Sequence, residues 1–376
     1  MVHELTHKDF PFGKAKRMTL QRCGYRRHQL SMLMTFVILL AIGSTGRSVA
    51  EERADVGGKA STQFTTASAF QRAGYPVFDS QSFWYQPIPR NAPLHQKSAE
   101  YAQEFARQVK TYYGHIGINF SGYSSPVYTV KADVPNVTVK LVDCWHSGYY
   151  DKKLANDFAA VPIPNYAEAA DGTDSEMSIY QPDTDLLWEL WQARKVGGQW
   201  QACWGGRMPN TSRNPGIWER PYGAAATGLP FAPGQILADE LRAGEIDHVI
   251  GIALVAAEAK VYSWPANRSD GKGSPGVPNA IPEGIRFRLD PALDIEKLNL
   301  HPIARTIARA AQKYGFVVWD LGGSVALRAE NPKRYTLVGL PSPYPQLFGN
   351  TPAYAIMNRF PWDKMQFLPA DYGKPK

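Results

Sequence analysis

Apolar and polar positions change their period several times along the chain. Tyr101, Phe105, Val109 and Tyr112 form an apolar stripe after Ser98, which predicts a helix from Ser98 to about Tyr113, capped by Ser98 and ended by Gly114. A second stripe, Ile303, Ile307, Ala310 and Tyr314, predicts a helix that opens at Pro302 and stops at Gly315. A shorter helical turn is expected over Leu237 to Leu241, before Gly244. Elsewhere the period is near two, or the run is short and wholly apolar, as strands require. Expected strands are Val127–Val130, Asn136–Val142, Met177–Tyr180, Leu186–Ala193, Gln199–Trp204, Ile246–Val255, Phe316–Asp320 and Ser324–Arg328. The turns between them predict hairpins and a central meander from Met177 to Trp204. Within Leu186–Ala193 alternation puts Leu187, Glu189, Trp191 and Ala193 on one face, and Trp188, Leu190 and Gln192 on the other.

This pattern, with plentiful Gly, Pro and aromatic residues, predicts a mainly β fold. The expected form is a single domain of two packed antiparallel sheets, an antiparallel β-sandwich of jelly-roll or lectin-like kind, with two peripheral helices. An α+β arrangement with one exposed sheet is the rival.

The first fifty residues differ from the rest. A basic stretch precedes an apolar run from Leu30 to Ile42, and small residues ending Ser48-Val49-Ala50 follow, the order of an export signal. The apolar run is shorter than the roughly twenty residues of a membrane span, so the membrane is expected as a partner only during export. An uncleaved anchor, or a start at Met32 or Met34, is the alternative. Arg26-Arg27 permits twin-arginine export without requiring it. Residues 51–77 are expected as a flexible linker and residues 78–376 as the domain, secreted or periplasmic. The leader carries eight Lys/Arg against two Asp/Glu, so six of the seven excess positive charges belong to it. What remains is nearly neutral, and no nucleic-acid partner is expected. Beyond the leader only Cys144 and Cys203 remain. In an oxidising compartment they can pair, two free thiols being the other possibility.

Several segments together resemble a known family. They include Gly114-His-Ile-Gly-Ile-Asn119, Asp185-Leu-Leu-Trp-Glu-Leu-Trp191, Trp204-Gly-Gly-Arg207, Ala224-Ala-Ala-Thr-Gly-Leu-Pro230, Asp239–His248, Ala280-Ile-Pro-Glu-Gly284 and Phe360-Pro-Trp362. From about residue 83 to 368 the chain is similar to a family of exported bacterial proteins, frequent in actinobacteria, without an assigned activity. The resemblance implies one domain and carries no catalytic residue. It departs at His248-Val249-Ile250, where the family has His-Ala-Leu.

P-loop and G-x-S-x-G signatures are missing. The strongest chemical hint is Glu189 beside Trp191, since rings with carboxylates between them suit a sugar's apolar faces and hydroxyls. Cleavage of a glycosidic bond needs a second carboxyl about 5–10 Å away, and Asp185, Glu240, Asp270 and Asp320 are candidates. Glu189 on a solvated face, with both tryptophans in the core, is the competing interpretation. His248 interrupts an apolar strand. It can serve as a proton shuttle near Thr227-Gly228-Leu229, and with a tyrosine as a lyase base, or it can be a buried hydrogen-bonded residue. Asp247 cannot orient it from the opposite strand face. Trp191 and Trp204 are candidate substrate-binding residues, with Arg207 for an acidic group. No metal site or cofactor is expected, although Asp171-Gly-Thr-Asp174-Ser-Glu176 offers oxygen ligands that could hold calcium.

The expectation is an exported carbohydrate-active protein, a glycoside hydrolase or polysaccharide lyase with Glu189, His248 and Asp185 as catalytic candidates. Its partner would be a polysaccharide or cell-envelope glycan. A non-enzymatic glycan-binding or envelope protein is the alternative. An enzyme needs Glu189 or His248 in a cleft with another titratable group; a binder needs only a tryptophan-lined surface.

Overall fold

The computed structural model describes residue 70 and residues 73–273 and 277–376. The chain divides into residues 1–63 and 64–376, and the architecture is that of the second unit. The expected leader and most of the expected linker lie outside the described residues. Phe70, Ala73 and Tyr75, inside the stretch read as linker, are buried side chains of the core.

The strands are β1 (Gly117–Asn119), β2 (Val127–Thr129), β3 (Lys140–Leu141), β4 (Met177–Gln181), β5 (Leu186–Trp191), β6 (Arg194–Val196), β7 (Gln199–Ala202), β8 (Trp204–Pro209), β9 (Ile250–Leu254), β10 (Arg286–Leu289), β11 (Phe316–Leu321), β12 (Ala326–Arg328) and β13 (Met365–Phe367). The two longer helices are α1 (Ser98–Thr111) and, after the short α2 (Lys152–Asp157) and α3 (Ala238–Ala243), α4 (Pro302–Lys313). Two single turns, α5 (Lys333–Thr336) and α6 (Tyr344–Phe348), follow. A large sheet runs β1-β12-β9-β11-β10-β13, a middle sheet β2-β4-β5-β8, and a small one β3-β7-β6. The fold is mainly β.

The sheets are mixed, which corrects the antiparallel expectation: β1–β12, β9–β11, β2–β4 and β3–β7 are parallel pairs. Alternation marks a strand but not its neighbour's direction. Parallel pairing needs a long crossover, and α4 lies in the one between β9 and β11. The expected hairpin of β11 and β12 does not form either, because β9 lies between them. The expected strand Gln199–Trp204 breaks at Cys203, its first half joining the small sheet and its second starting β8.

Three apolar clusters hold the layers. One joins a face of the large sheet (Ile252, Phe316, Val318, Leu327) to α1 and α4 through Tyr101, Phe105, Ile303 and Ile307. The second joins the other face (Val317, Trp319) to Val127, Leu187 and Met208 of the middle sheet, with Phe70, Trp84, Trp218 and Phe231 between them. The third packs Ile179, Trp188 and Leu190 on Leu154 of α2, Phe158 and Trp200. The middle sheet is therefore covered on both faces.

In α1 the buried stripe is rotated from the expected one and takes in Glu104 and Gln108. Gln108 is useful there because its Oε1 accepts from Val255 N (3.0 Å) and Ala256 N (3.1 Å), while its Nε2 donates to Ala256 O (2.9 Å). One amide thus satisfies the backbone leaving β9. Ser98 does not cap the helix; its Oγ accepts from Phe367 N at 2.9 Å instead.

Candidate functional site

Glu189 sits mid-strand in β5 and points between the two larger sheets, fully buried. Its carboxylate accepts from Phe231 N (2.6 Å), Trp218 Nε1 (2.9 Å) and, at 3.5 Å, Ala224 N. Gly206, its cross-strand neighbour, lets this loop approach: a Cβ there would lie 3.0 Å from both Gly223 N and the Trp218 ring. Burial pushes the Glu189 carboxyl up to about 7, against the pull of its three N–H donors and of the Arg268 charge. The face that carries Glu189 is thus a core face and not a solvated one. Trp191 shares that side of the strand but stands at its last position, where the chain turns at Gln192, and it remains partly exposed.

His248 is likewise fully buried. Its Nε2 lies 3.1 Å from Glu240 Oε2, its Nδ1 2.8 Å from Val249 O, and its ring meets Phe70 edge-on at 5.0 Å. Burial alone would lower its pKa, but Glu240 and the Val249 carbonyl outweigh it and the net shift is upward. Asp247 does face away, taking Lys313 Nζ at 3.0 Å and Tyr314 OH at 3.2 Å. Asp185 holds a turn: it accepts from Ser212 N (2.9 Å) and Ser212 Oγ (2.7 Å). Glu189, His248 and Asp185 therefore have separate partners and share none. The guanidinium of Arg207 lies 5.7 Å over the ring of Trp188, its cross-strand partner. Of the acidic turn, Asp171 pairs with Lys333 (2.6 Å) and Glu176 with Arg328 (3.3 Å). Among the described residues no group of three or more His, Cys, Asp or Glu side chains is placed to hold a metal ion.

Trp191 and Trp204 are brought together as a direct cross-strand pair of β5 and β8. Cys144 and Cys203 form a disulfide, and it carries Trp145 onto this pair. Trp145 stacks on Trp191 with ring centres 5.4 Å apart and planes at 13°, and meets Trp204 edge-on at 6.3 Å. Tyr222 extends the wall, stacked on Trp204 at 6.1 Å. Lys153 Nζ stands 4.0 Å over the Tyr222 ring, and Asp151 accepts from Tyr149 OH at 3.2 Å. The result is a partly exposed face of Trp145, Trp191 and Trp204, backed by buried Tyr222 and Asp151, with Tyr149 and Lys153 at its rim. Trp145 and Tyr222 were not among the residues expected here; the signal for the first was that Cys144 and Cys203 are each followed by a tryptophan.

No family model, curated protein or solved structure matches the chain. The disulfide fits an oxidising, extracellular-like environment. Among the described residues no helix is long and apolar enough to cross a membrane.

Burial also lifts Glu176 to about 7 and Asp320 to about 6, in each case against a lowering by Arg328. A carboxyl whose folded pKa is raised binds its proton more tightly in the folded state. Its stabilising contribution is complete below the unfolded value near 4 and is lost as pH rises through the folded value. His248, also raised, has the same sign. The thermal midpoint is thus expected to fall by about 5 °C or more between pH 5 and pH 8, read by circular dichroism. A midpoint that rises over that range would contradict the charge assignments.

Proposed function

We propose that the protein is an exported, carbohydrate-active protein, secreted or periplasmic, and that it holds glycan on the face of Trp145, Trp191 and Trp204. The observation that carries this is the Trp145–Trp191 stack beside Trp204. Sugars offer flat C–H faces to indole rings and hydroxyls to the groups around them. Large amphipathic rings with few rotatable bonds bind such surfaces at little entropic cost. Lys153 and Tyr149 at the rim supply hydrogen-bonding partners. Two sheets facing one another across a shared core, read as a β-sandwich, also suit an architecture that lectin domains use. Glu189 and His248 support the fold in this reading and do not touch the ligand.

Trp191→Ala and Trp204→Ala are each expected to weaken binding at least tenfold, about 1.4 kcal/mol. Retardation in gels cast with soluble β-glucan, xylan, mannan or arabinogalactan measures it. Both rings are partly exposed, so the thermal midpoint should change little. If the unaltered protein migrates past every one of these polymers, glycan recognition by this face is wrong.

A further inference from the structure

Beneath the loop that carries Tyr222 lies a group of ionisable side chains that the aromatic face does not use. Arg268 donates to Tyr222 O, to Gly223 O at 3.1 Å and to Ala225 O at 2.6 Å. Asn267 fastens the same segment, donating from its Nδ2 to Trp218 O at 2.6 Å and from its backbone to Thr227 O at 3.0 Å. Two residues after Arg268, Asp270 donates its N–H to Glu283 Oε2 at 3.0 Å. From the other side Arg328 reaches Asp320 Oδ2 at 2.8 Å and Glu176 Oε1 at 3.3 Å. A β-bulge makes this possible. The β9–β11 register slips between Val318 and Asp320, so the consecutive residues Trp319 and Asp320 both meet the Arg328 guanidinium, Trp319 at 5.4 Å from its ring centre.

Asp174, Glu176, Asp270, Glu283 and Asp320 thus gather around Arg268 and Arg328, with exposed Lys272 beside Asp270. Five carboxyls against the guanidiniums of partly buried Arg268 and buried Arg328 do not form a balanced ion-pair network, and unpaired buried charge is unfavourable. Some of the carboxyls must keep a proton. Three oxygens, Glu176 Oε2, Asp270 Oδ1 and the completely buried Glu283 Oε1, have no hydrogen-bond partner. Glu176 and Glu283 form the floor, while Asp174, Asp270 and Asp320 are partly exposed above it. The aromatic face adjoins this group on two sides. Gln192, next to Trp191, donates its N–H to Asp174 O at 2.7 Å, and Arg268 binds the carbonyl of Tyr222, whose ring stacks on Trp204.

We propose that Asp270, Glu283 and Asp320 form an acid–base centre that hydrolyses a glycosidic bond of the glycan held on the aromatic face. This rests on the glycan-binding reading above. Asp270 passes its proton to the glycosidic oxygen as that oxygen's bond to the anomeric carbon breaks. Asp320, kept ionised by Arg328, takes a proton from water as the water oxygen bonds to the same carbon. One water is consumed, a hydroxyl and a free reducing end are made, and the proton gained by Asp320 returns to Asp270 through solvent. Glu283 is the positioning residue. Its Oε2 fixes the Asp270 backbone, and burial together with the charge of Asp270 pushes the Glu283 carboxyl up to about 8, so that the pair holds one proton that Asp270 delivers.

The test uses the full chain and whichever of β-glucan, xylan, mannan or arabinogalactan it retains. Reducing ends should appear with the unaltered protein. Asp270→Asn and Asp320→Asn should each cut their release about 100-fold or more while the polymer is still bound; Trp191→Ala should lose the binding itself. Glu283→Gln leaves Asp270 to hold the proton alone, so it should move the alkaline limb of the pH–rate profile to lower pH. A purely structural Glu283 would leave that limb in place. Retention without reducing ends overturns the hydrolytic centre and leaves the glycan reading standing. Undiminished release from both Asn variants, or products absorbing as unsaturated sugars, also overturns it. No retention of any polymer removes the glycan reading and the hydrolytic centre with it.

Discussion

Glu189→Ala should destabilise the protein by about 3–5 kcal/mol, seen as a lower midpoint in urea. The side chain is fully buried between the two larger sheets. Removing it leaves Phe231 N–H and Trp218 Nε1–H, now bonded at 2.6 and 2.9 Å, without acceptors in a site closed to water. Each buried donor left unpaired costs about 1–3 kcal/mol, and the emptied volume adds a cavity term. The positive charge of Arg268 also loses the nearest compensation on its β5 side. Glu189→Gln keeps one carbonyl oxygen but turns an NH₂ group toward the second donor, so about half that loss is expected. A change below about 1 kcal/mol for the alanine variant would mean that these bonds do not hold the sheets together.

That prediction reverses the role first expected of Glu189, and the reason is physical. Period-two alternation correctly put Glu189 with Leu187 on one face of β5. It cannot tell whether that face meets water or a second sheet, because the answer depends on partners distant in sequence such as Phe231 and Trp319. The long helices, opened by Ser98 and Pro302, were legible because their stripes are local. The order β12-β9-β11 was not, since three short apolar strands give no sign of which lies in the middle. Among site residues, Trp191 and Trp204 were visible as aromatic positions on neighbouring strands. The carboxyl group around Asp270 was visible only in part. Asp270 and Asp320 were named as acids, but Glu283 lies inside Ile281-Pro-Glu-Gly284, where no periodicity marks it. Arg328 reaches Asp320 only because β11 bulges at Trp319.

Reducing the Cys144–Cys203 disulfide, or replacing both cysteines by serine, should cost about 4 kcal/mol, the loop-closure value for a crosslink spanning 59 residues. Guanidinium unfolding with and without reductant measures it. A second effect separates this bond from one that only restrains the unfolded chain. Cys144 lies on the partly exposed segment that leads from β3 to α2, and Cys203 lies between the small and middle sheets. The bond ties that segment to the end of β8, which holds Trp145 over Trp191. Without the tether, Trp145 would have to be ordered again each time the proposed glycan ligand binds. Glycan affinity should then fall by a factor of about ten, roughly 1.4 kcal/mol, at temperatures where the sheets remain folded. Full stability loss with unchanged gel retardation would restrict the disulfide to the fold. Loss of both would tie it to the aromatic face, so that recognition of glycan depends on the oxidising compartment that lets the bond form.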